Sequence, residues 1–178
     1  MRAKVSEQGD QKAGELEAAL MKATAGGRLP VLCDTSPCLY RMRQVMNPAL
    51  KLYEPVEFIH EFLMDKLIFA QLPRTIAIHS SCSAIKMELK DKFQTVAQAC
   101  AQKVIVPERV GCCGFAGDRG FTHPELNQSA LNELRSAVSE SCSAGYSNSR
   151  TCEIGLSLHS GLYYKSILYM VDECTKSP

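Results

Sequence analysis

Two adjacent cysteines, Cys112 and Cys113, stand between glycines in the run Gly111-Cys-Cys-Gly114. Neighbouring Cα atoms are about 3.8 Å apart, shorter than the usual disulfide span, so a vicinal disulfide there would be strained. Two thiolates on adjacent residues can instead reach different metal atoms of one cluster. Gly111 and Gly114 remove side chains and let backbone approach closely. Their N–H groups could hydrogen-bond cluster sulfurs and tune a potential. The pair therefore points to metal or redox chemistry. Structural zinc prefers cysteines roughly two to four residues apart, and only Cys33 and Cys38 come near that spacing.

These belong to nine cysteines in 178 residues. That fraction is below the roughly 8–10% of a disulfide scaffold. The count is odd, and the polar start MRAKVSEQGDQK shows no export signal. A reducing cytoplasm is the expected setting, where surplus cysteines suggest metal or redox work. Lys plus Arg is 20 and Asp plus Glu is 19, so no global basic field for nucleic acid exists. No apolar run approaches the roughly 18 residues that span a bilayer.

The elements that must position the thiols follow from apolar patterning. Residues 1–28 read as a helical or flexible lead-in, with a stripe at Leu16, Ala19, Leu20 and Ala23, a stop at Gly26-Gly27, and a frayed start up to Gly9. Val31-Leu32, Thr75–Ile78 and Lys103–Val106 read as short buried strands. Val56–Leu67, with Pro55 in its first turn, and Leu89–Cys100 read as helices. Thr122-His-Pro-Glu125 reads as a capping box opening one long helix that Gly145 ends. Strands alternating with crossover helices predict an α/β fold with a mostly parallel sheet.

Cys38, Cys82 and the Cys112-Cys113 pair each follow an expected strand, whereas Cys152 follows a helix with no clear strand before it. The first groups would emerge at the carboxyl edge of the sheet, where open α/β sheets place ligands, and the Cys152 loop could reach them. Cys100, Cys142 and Cys174 read as small structural thiols, and Cys33 is ambiguous.

Two segments echo each other. Cys33-Asp-Thr-Ser-Pro-Cys38 resembles Ser147-Asn-Ser-Arg-Thr-Cys152: Asx, a hydroxyl residue, two more, then Cys. Leu52-Tyr53 and Leu162-Tyr163 follow, each ahead of an apolar stretch. The echo predicts that the tail at Ile167 is helical. It also makes Cys38 the last thiolate of an earlier, similar module contributing to a second, split site, in a chain that starts partway through a tandem repeat.

Cys82, the run Gly111-Cys-Cys-Gly-Phe-Ala-Gly-Asp-Arg-Gly120 and Cys152 together resemble the cysteine-rich CCG domain. That domain occurs in the B subunit of heterodisulfide reductase and in iron–sulfur subunits of glycolate, glycerol-3-phosphate and lactate oxidoreductases. The longer strings GCCGFAGDRGFTHPEL and YSNSRTCEIGLS are similar to the C-terminal end of the large FAD- and iron–sulfur-containing D-lactate and D-2-hydroxyglutarate dehydrogenases. The resemblance covers roughly residues 29–175. It implies one CCG-type domain over 29–178, with 29–72 as the tail of a preceding half-module.

The resemblance further implies a path for electrons from an (R)-2-hydroxyacid to FAD, then through iron–sulfur centres to a quinone or cytochrome. The cluster, of four-iron type, would be held by Cys82, Cys112, Cys113 and Cys152, with Cys38 at the second site. The partners would be upstream flavin and ferredoxin-like domains, and the setting cytoplasmic or peripheral at the inner face of a membrane. No Gly-rich dinucleotide fingerprint and no Cys-x₂-Cys-x₂-Cys run occurs here, so the chain alone should not oxidise substrate. One departure stands out: modules with a non-cubane cluster end in Cys-x-x-Cys, but Gly155 occupies the second position here, and Arg41 the same position after Cys38. A metal-free thiol–disulfide module and a zinc-stabilised structural domain are the rival expectations.

Among other residues, His79 could tune a cluster, carry a proton or be structural. Ser80, Ser81 or Ser83 could cap a helix after Cys82, favouring its thiolate. Asp118 and Arg119 read as an ion pair shaping the loop, and Lys86, Lys90 and Lys92 as a solvated helix face.

Overall fold

The computed structural model describes residues 2–108, 110–138 and 142–176. Contacts divide the chain into two compact units, Met1–Pro55 and Val56–Pro178.

The first unit opens with helix α1 (Arg2–Ala23), which runs back through Gly9 into the stretch expected to fray. Gly26 and Gly27 follow it with positive φ, as a helix stop requires. Strand β1 (Val31–Leu32), helix α2 (Ser36–Val45) and strand β2 (Leu52–Tyr53) come next, and β1 and β2 pair in parallel. The Arg43 guanidinium ties α2 to β2 by donating to the Leu52 carbonyl at 2.6 Å.

The second unit begins in helix α3 (Pro55–Phe58), which widens into an i→i+5 turn over Ile59–Leu63, with Met64 N–H donating to Ile59 O at 3.0 Å. The helix expected to reach Leu67 stops at Leu63, and after a turn strand β3 (Ile68–Phe69) follows. Strand β4 (Leu72–His79), helices α4 (Cys82–Lys86) and α5 (Lys90–Cys100), and strand β5 (Ala101–Ile105) complete the first crossover. Helices α6 (Arg119–Thr122), α7 (Pro124–Ala130) and α8 (Leu134–Ala137) lead to strand β6 (Cys142–Ser147). Helix α9 (Arg150–Ser160), strand β7 (Tyr164–Ser166), helix α10 (Ile167–Cys174) and strand β8 (Thr175–Lys176) end the chain, β8 pairing antiparallel to β3.

The main sheet has the order β5-β4-β6-β7 and is parallel throughout. Helices lie between its strands, so the fold is α/β with a mostly parallel sheet. Its two faces bury separate apolar cores. Ile76, Ile78 and Tyr146 pack with Phe93, Val96 and Met170 on one. Ala77, Leu131, Leu134, Leu156 and Tyr164 pack on the other, together with Cys113, Cys142 and Cys152.

Three expectations are corrected. The long helix from Thr122 is two short ones, α7 and α8. Thr122 closes α6, its hydroxyl donating to the Arg119 carbonyl, and α7 starts behind His123 with no side-chain cap. Gly145 ends no helix: it lies inside β6, pairs with Tyr164, and any Cβ there would collide with the Tyr164 ring. Cys152 therefore does follow a strand, and a central one. The tail at Ile167 is helical, as the internal echo predicts.

Candidate functional site

A parallel sheet puts all its carboxyl ends on one edge, and neighbouring strands β5, β4 and β6 end there at Ile105, His79 and Ser147. The loop after β5 carries Cys112 and Cys113. The turn after β4 carries Cys82, and the turn after β6 leads to Cys152 in the first turn of α9. The chain steps outward from β4 to β5 and, on the other flank, from β6 to β7, so the topological switch lies between β4 and β6. That crevice is the ligand position of such sheets.

Polar side chains pin the edge. Ser147 Oγ donates to the His79 carbonyl at 2.8 Å, and Asn148 Oδ1 accepts from Ser81 N–H at 3.0 Å. Ser81 is the residue that caps α4, its Oγ accepting from Ala84 N–H at 3.3 Å, and it sets Cys82 at the first helical position. Across the crevice, buried Asn127 of α7 donates to the Cys113 carbonyl.

Gly114 holds the cysteine loop against α7. Its φ is +71°, and a Cβ would strike the Leu126 carbonyl and Ala130. Both facts require glycine. Gly111 has open space around it and no positive φ, so its lack of a side chain serves exposure rather than close approach. Gly155 is explained by the same bracket: a Cβ there would press into Asn127 Nδ2, the atom holding Cys113. A cysteine at that position would displace Asn127.

The four thiols meet in two pairs. Cys113 and Cys152 are buried, 5% and 6% exposed, with their Sγ atoms 2.9 Å apart. The hydrogen bond from the Cys152 thiol holds Cys113 down to about 7, against the opposing effect of burial and with help from the Phe115 backbone. Cys152 is pushed up by that same bond and by burial. Cys112 and Cys82 are exposed, and Cys82 lies near enough to Cys112 to add a small upward push to its ionisation. Burial is the main cause raising Cys112, and the Gly114 N–H, donating to its Sγ at 3.4 Å, opposes it.

The donor set fits an iron–sulfur cluster in kind and number, since such clusters take four thiolates. Its spacing is closed up. Even two thiolates on one tetrahedral ion, with metal–sulfur bonds of about 2.3 Å, would sit roughly 3.7 Å apart, and thiolates on different irons of one cluster farther still, so Cys113 and Cys152 must part to ligate. Among the described residues no group of three or more His, Cys, Asp and Glu already surrounds one metal position.

The remaining candidates fall elsewhere. His79 is 3% exposed, and neither ring nitrogen has a hydrogen-bond partner among the described residues, so it bonds none of the four thiols. Burial lowers it to about 4, keeping the ring neutral. Cys38 is exposed on α2 in the first unit, and Cys33 there is raised chiefly by burial, its thiol facing the Thr35 carbonyl. Cys142 is buried at the start of β6. Cys100 and Cys174 are buried in the other core, where the Cys174 thiol donates to the Val171 carbonyl. Asp118 and Arg119 form no ion pair among the described residues; Asp118 precedes α6 without a side-chain cap bond. Sequence reasoning missed Asn127 altogether.

No protein-family model matches the chain, and no curated protein matches it. No helix among the described residues is long and apolar enough to cross a membrane.

Proposed function

We propose that this chain is an iron–sulfur electron-transfer domain, resembling the CCG domain of flavin-dependent (R)-2-hydroxyacid dehydrogenases of the D-lactate or D-2-hydroxyglutarate kind. The observation that supports it is the convergence of Cys82, Cys112, Cys113 and Cys152, from the loops after three neighbouring strands, on the carboxyl edge of one parallel sheet. When bound, a cluster would supply one-electron storage between a flavin and an acceptor. The chain's own part is to present thiolates. Cys113 is already poised as one near neutral pH. Asn127 fixes its backbone, and Asn148 with Ser81 fixes the start of α4 beside it. Upstream flavin and ferredoxin-like domains would deliver the electrons, and a quinone or cytochrome would accept them.

Anaerobic reconstitution of the reduced chain with ferrous iron and sulfide tests this. Four thiolates should take up iron and sulfide in stoichiometric amounts, giving charge-transfer absorbance and a reducible EPR signal. Failure of stoichiometric uptake overturns the reading.

A second reading has its own observation. The 2.9 Å contact between a low-lying Cys113 and Cys152 also suits a reversible dithiol. The Cys113 thiolate attacks one sulfur of a small disulfide, and Cys152 then displaces the mixed disulfide. Two thiols become one protein disulfide while the oxidant becomes two thiols. Mass mapping after equilibration with oxidised glutathione should find Cys113–Cys152 linked; scrambled or unlinked cysteines count against it.

A further inference from the structure

The buried thiol pair is one side of a closed ring of contacts. Asn127 of α7, 2% exposed, donates its side-chain amide to the Cys113 carbonyl. The same Nδ2, with Oδ1 beside it, stands over Gly155 of α9, where any Cβ would run into it. Gly155 lies three residues after Cys152 in α9, so the two share one helix face, about 4.5 Å apart along the axis. The Cys113 and Cys152 sulfurs, 2.9 Å apart, complete the ring.

The neighbouring contact of the cysteine loop is of another kind. Gly114 rests on the Leu126 carbonyl and the Ala130 side chain, which seats the loop on α7 but does not reach α9. Asn127 touches both sides of the pair: the Cys113 backbone, and the α9 face that carries Cys152. Its side chain has only two torsions, and burial leaves it few alternative rotamers, so it passes on position rather than merely filling space.

We propose that Asn127 is the positioning residue of the thiol pair. It ties the cysteine loop to the bare face of α9 and so sets the separation of Cys113 and Cys152, and Gly155 is the gap that lets it do so. The inference rests on the dithiol reading and deepens it, and no iron takes part.

The test equilibrates the full, metal-free chain with reduced and oxidised glutathione at fixed pH. The Cys113 and Cys152 thiols become one disulfide while one oxidised glutathione becomes two reduced ones, and mass mapping gives the equilibrium constant of that link. Asn127→Ala should lower the constant roughly threefold to tenfold, the scale of one hydrogen bond. Gly155→Ala should lower it by a similar factor from the α9 side, because its methyl pushes the amide off the Cys113 carbonyl. Added to Asn127→Ala, it should cost no more than about twofold further, since no amide is left to displace. Val96→Ala, in the core of the other sheet face, weakens the fold without touching the ring and should leave the constant unchanged. An unchanged constant in either single variant, losses that multiply in the double variant, or an equal loss in Val96→Ala would overturn the proposal. A parent chain that never links Cys113 to Cys152 removes the dithiol reading and the proposal together. A linked parent that is indifferent to Asn127→Ala removes the proposal alone.

Discussion

The run β1-α2-β2-α3 and the run β6-α9-β7-α10 are built alike. Each has a strand, an Asx residue, a hydroxyl residue at the helix start (Thr35, Ser149), and a cysteine as the third helical residue (Cys38, Cys152). In each, the following strand pairs in parallel with the first, and another helix follows. Their cysteines differ completely. Cys152 is buried against Cys113, while Cys38 is exposed. The Asx residues differ too: Asn148 Oδ1 holds Ser81 of the neighbouring strand's loop, whereas Asp34 Oδ1 accepts only from the adjacent Thr35 hydroxyl at 3.4 Å. The β-α-β-α frame thus delivers one thiol to a strand end. Chemistry arises where a central strand such as β6 has a neighbour, β4, and a cysteine loop to meet that thiol.

The comparison breaks most sharply on cluster assembly. Cys113→Ser should lower iron and sulfide uptake by at least about tenfold, beyond the loss typical of outer-sphere changes. Cys38→Ser should leave uptake by the Cys82, Cys112, Cys113 and Cys152 set unchanged. Equal losses in the two variants, measured as iron per chain, would show that the two frames work as one site.

A smaller effect is the pH dependence of stability. Cys113 titrates in the folded chain at about 7, against an ordinary thiol value of 9.0. A depressed acid stabilises the fold fully above its unfolded value and loses that contribution as pH falls through the folded one. Cys152, raised by the same bond, withdraws stability above its own unfolded value, so the gain is confined to pH 7 to 9. Urea unfolding of the reduced, metal-free chain should gain on the order of 2 kcal/mol across that window. Cys152→Ala should remove the gain, and Cys38→Ala should preserve it. A flat profile in the parent chain would sink the thiolate assignment.

The apolar runs Thr75–Ile78 and Lys103–Val106 were legible because their hydrophobic side chains pack against the cores on both faces of the sheet. β6 was not, since its sequence Cys142-Ser-Ala-Gly-Tyr-Ser147 has no apolar run. Gly145 there makes room for Tyr164, and Ser147 is buried to bond His79. Such roles depend on partners distant in sequence. The same holds for Asn127, whose target carbonyl lies across the crevice, and for Gly155, whose meaning is Asn127. The thiols themselves were legible, because cysteine at strand ends needs no partner to be noticed. Asn148 was half visible: the echo marked its position, but nothing in the sequence named Ser81.

That half-visible residue gives the finest contrast between the two frames. Asn148→Ala leaves the buried Ser81 N–H without an acceptor, at a cost of about 1–2 kcal/mol. Asp34→Ala removes an exposed, local bond and should stay within about 0.5 kcal/mol. Asn148→Asp keeps the acceptor oxygen, so it should recover part of the loss if the bond is the cause. It also places a negative charge near Cys82 and Cys152, which should raise the Cys113 titration. Denaturant midpoints at constant slope measure the first effect, and thiolate absorbance measures the second. If Asn148→Ala and Asp34→Ala cost the same, the bond between the β4 and β6 ends contributes nothing, and the burial of Cys152 must rest on apolar packing alone.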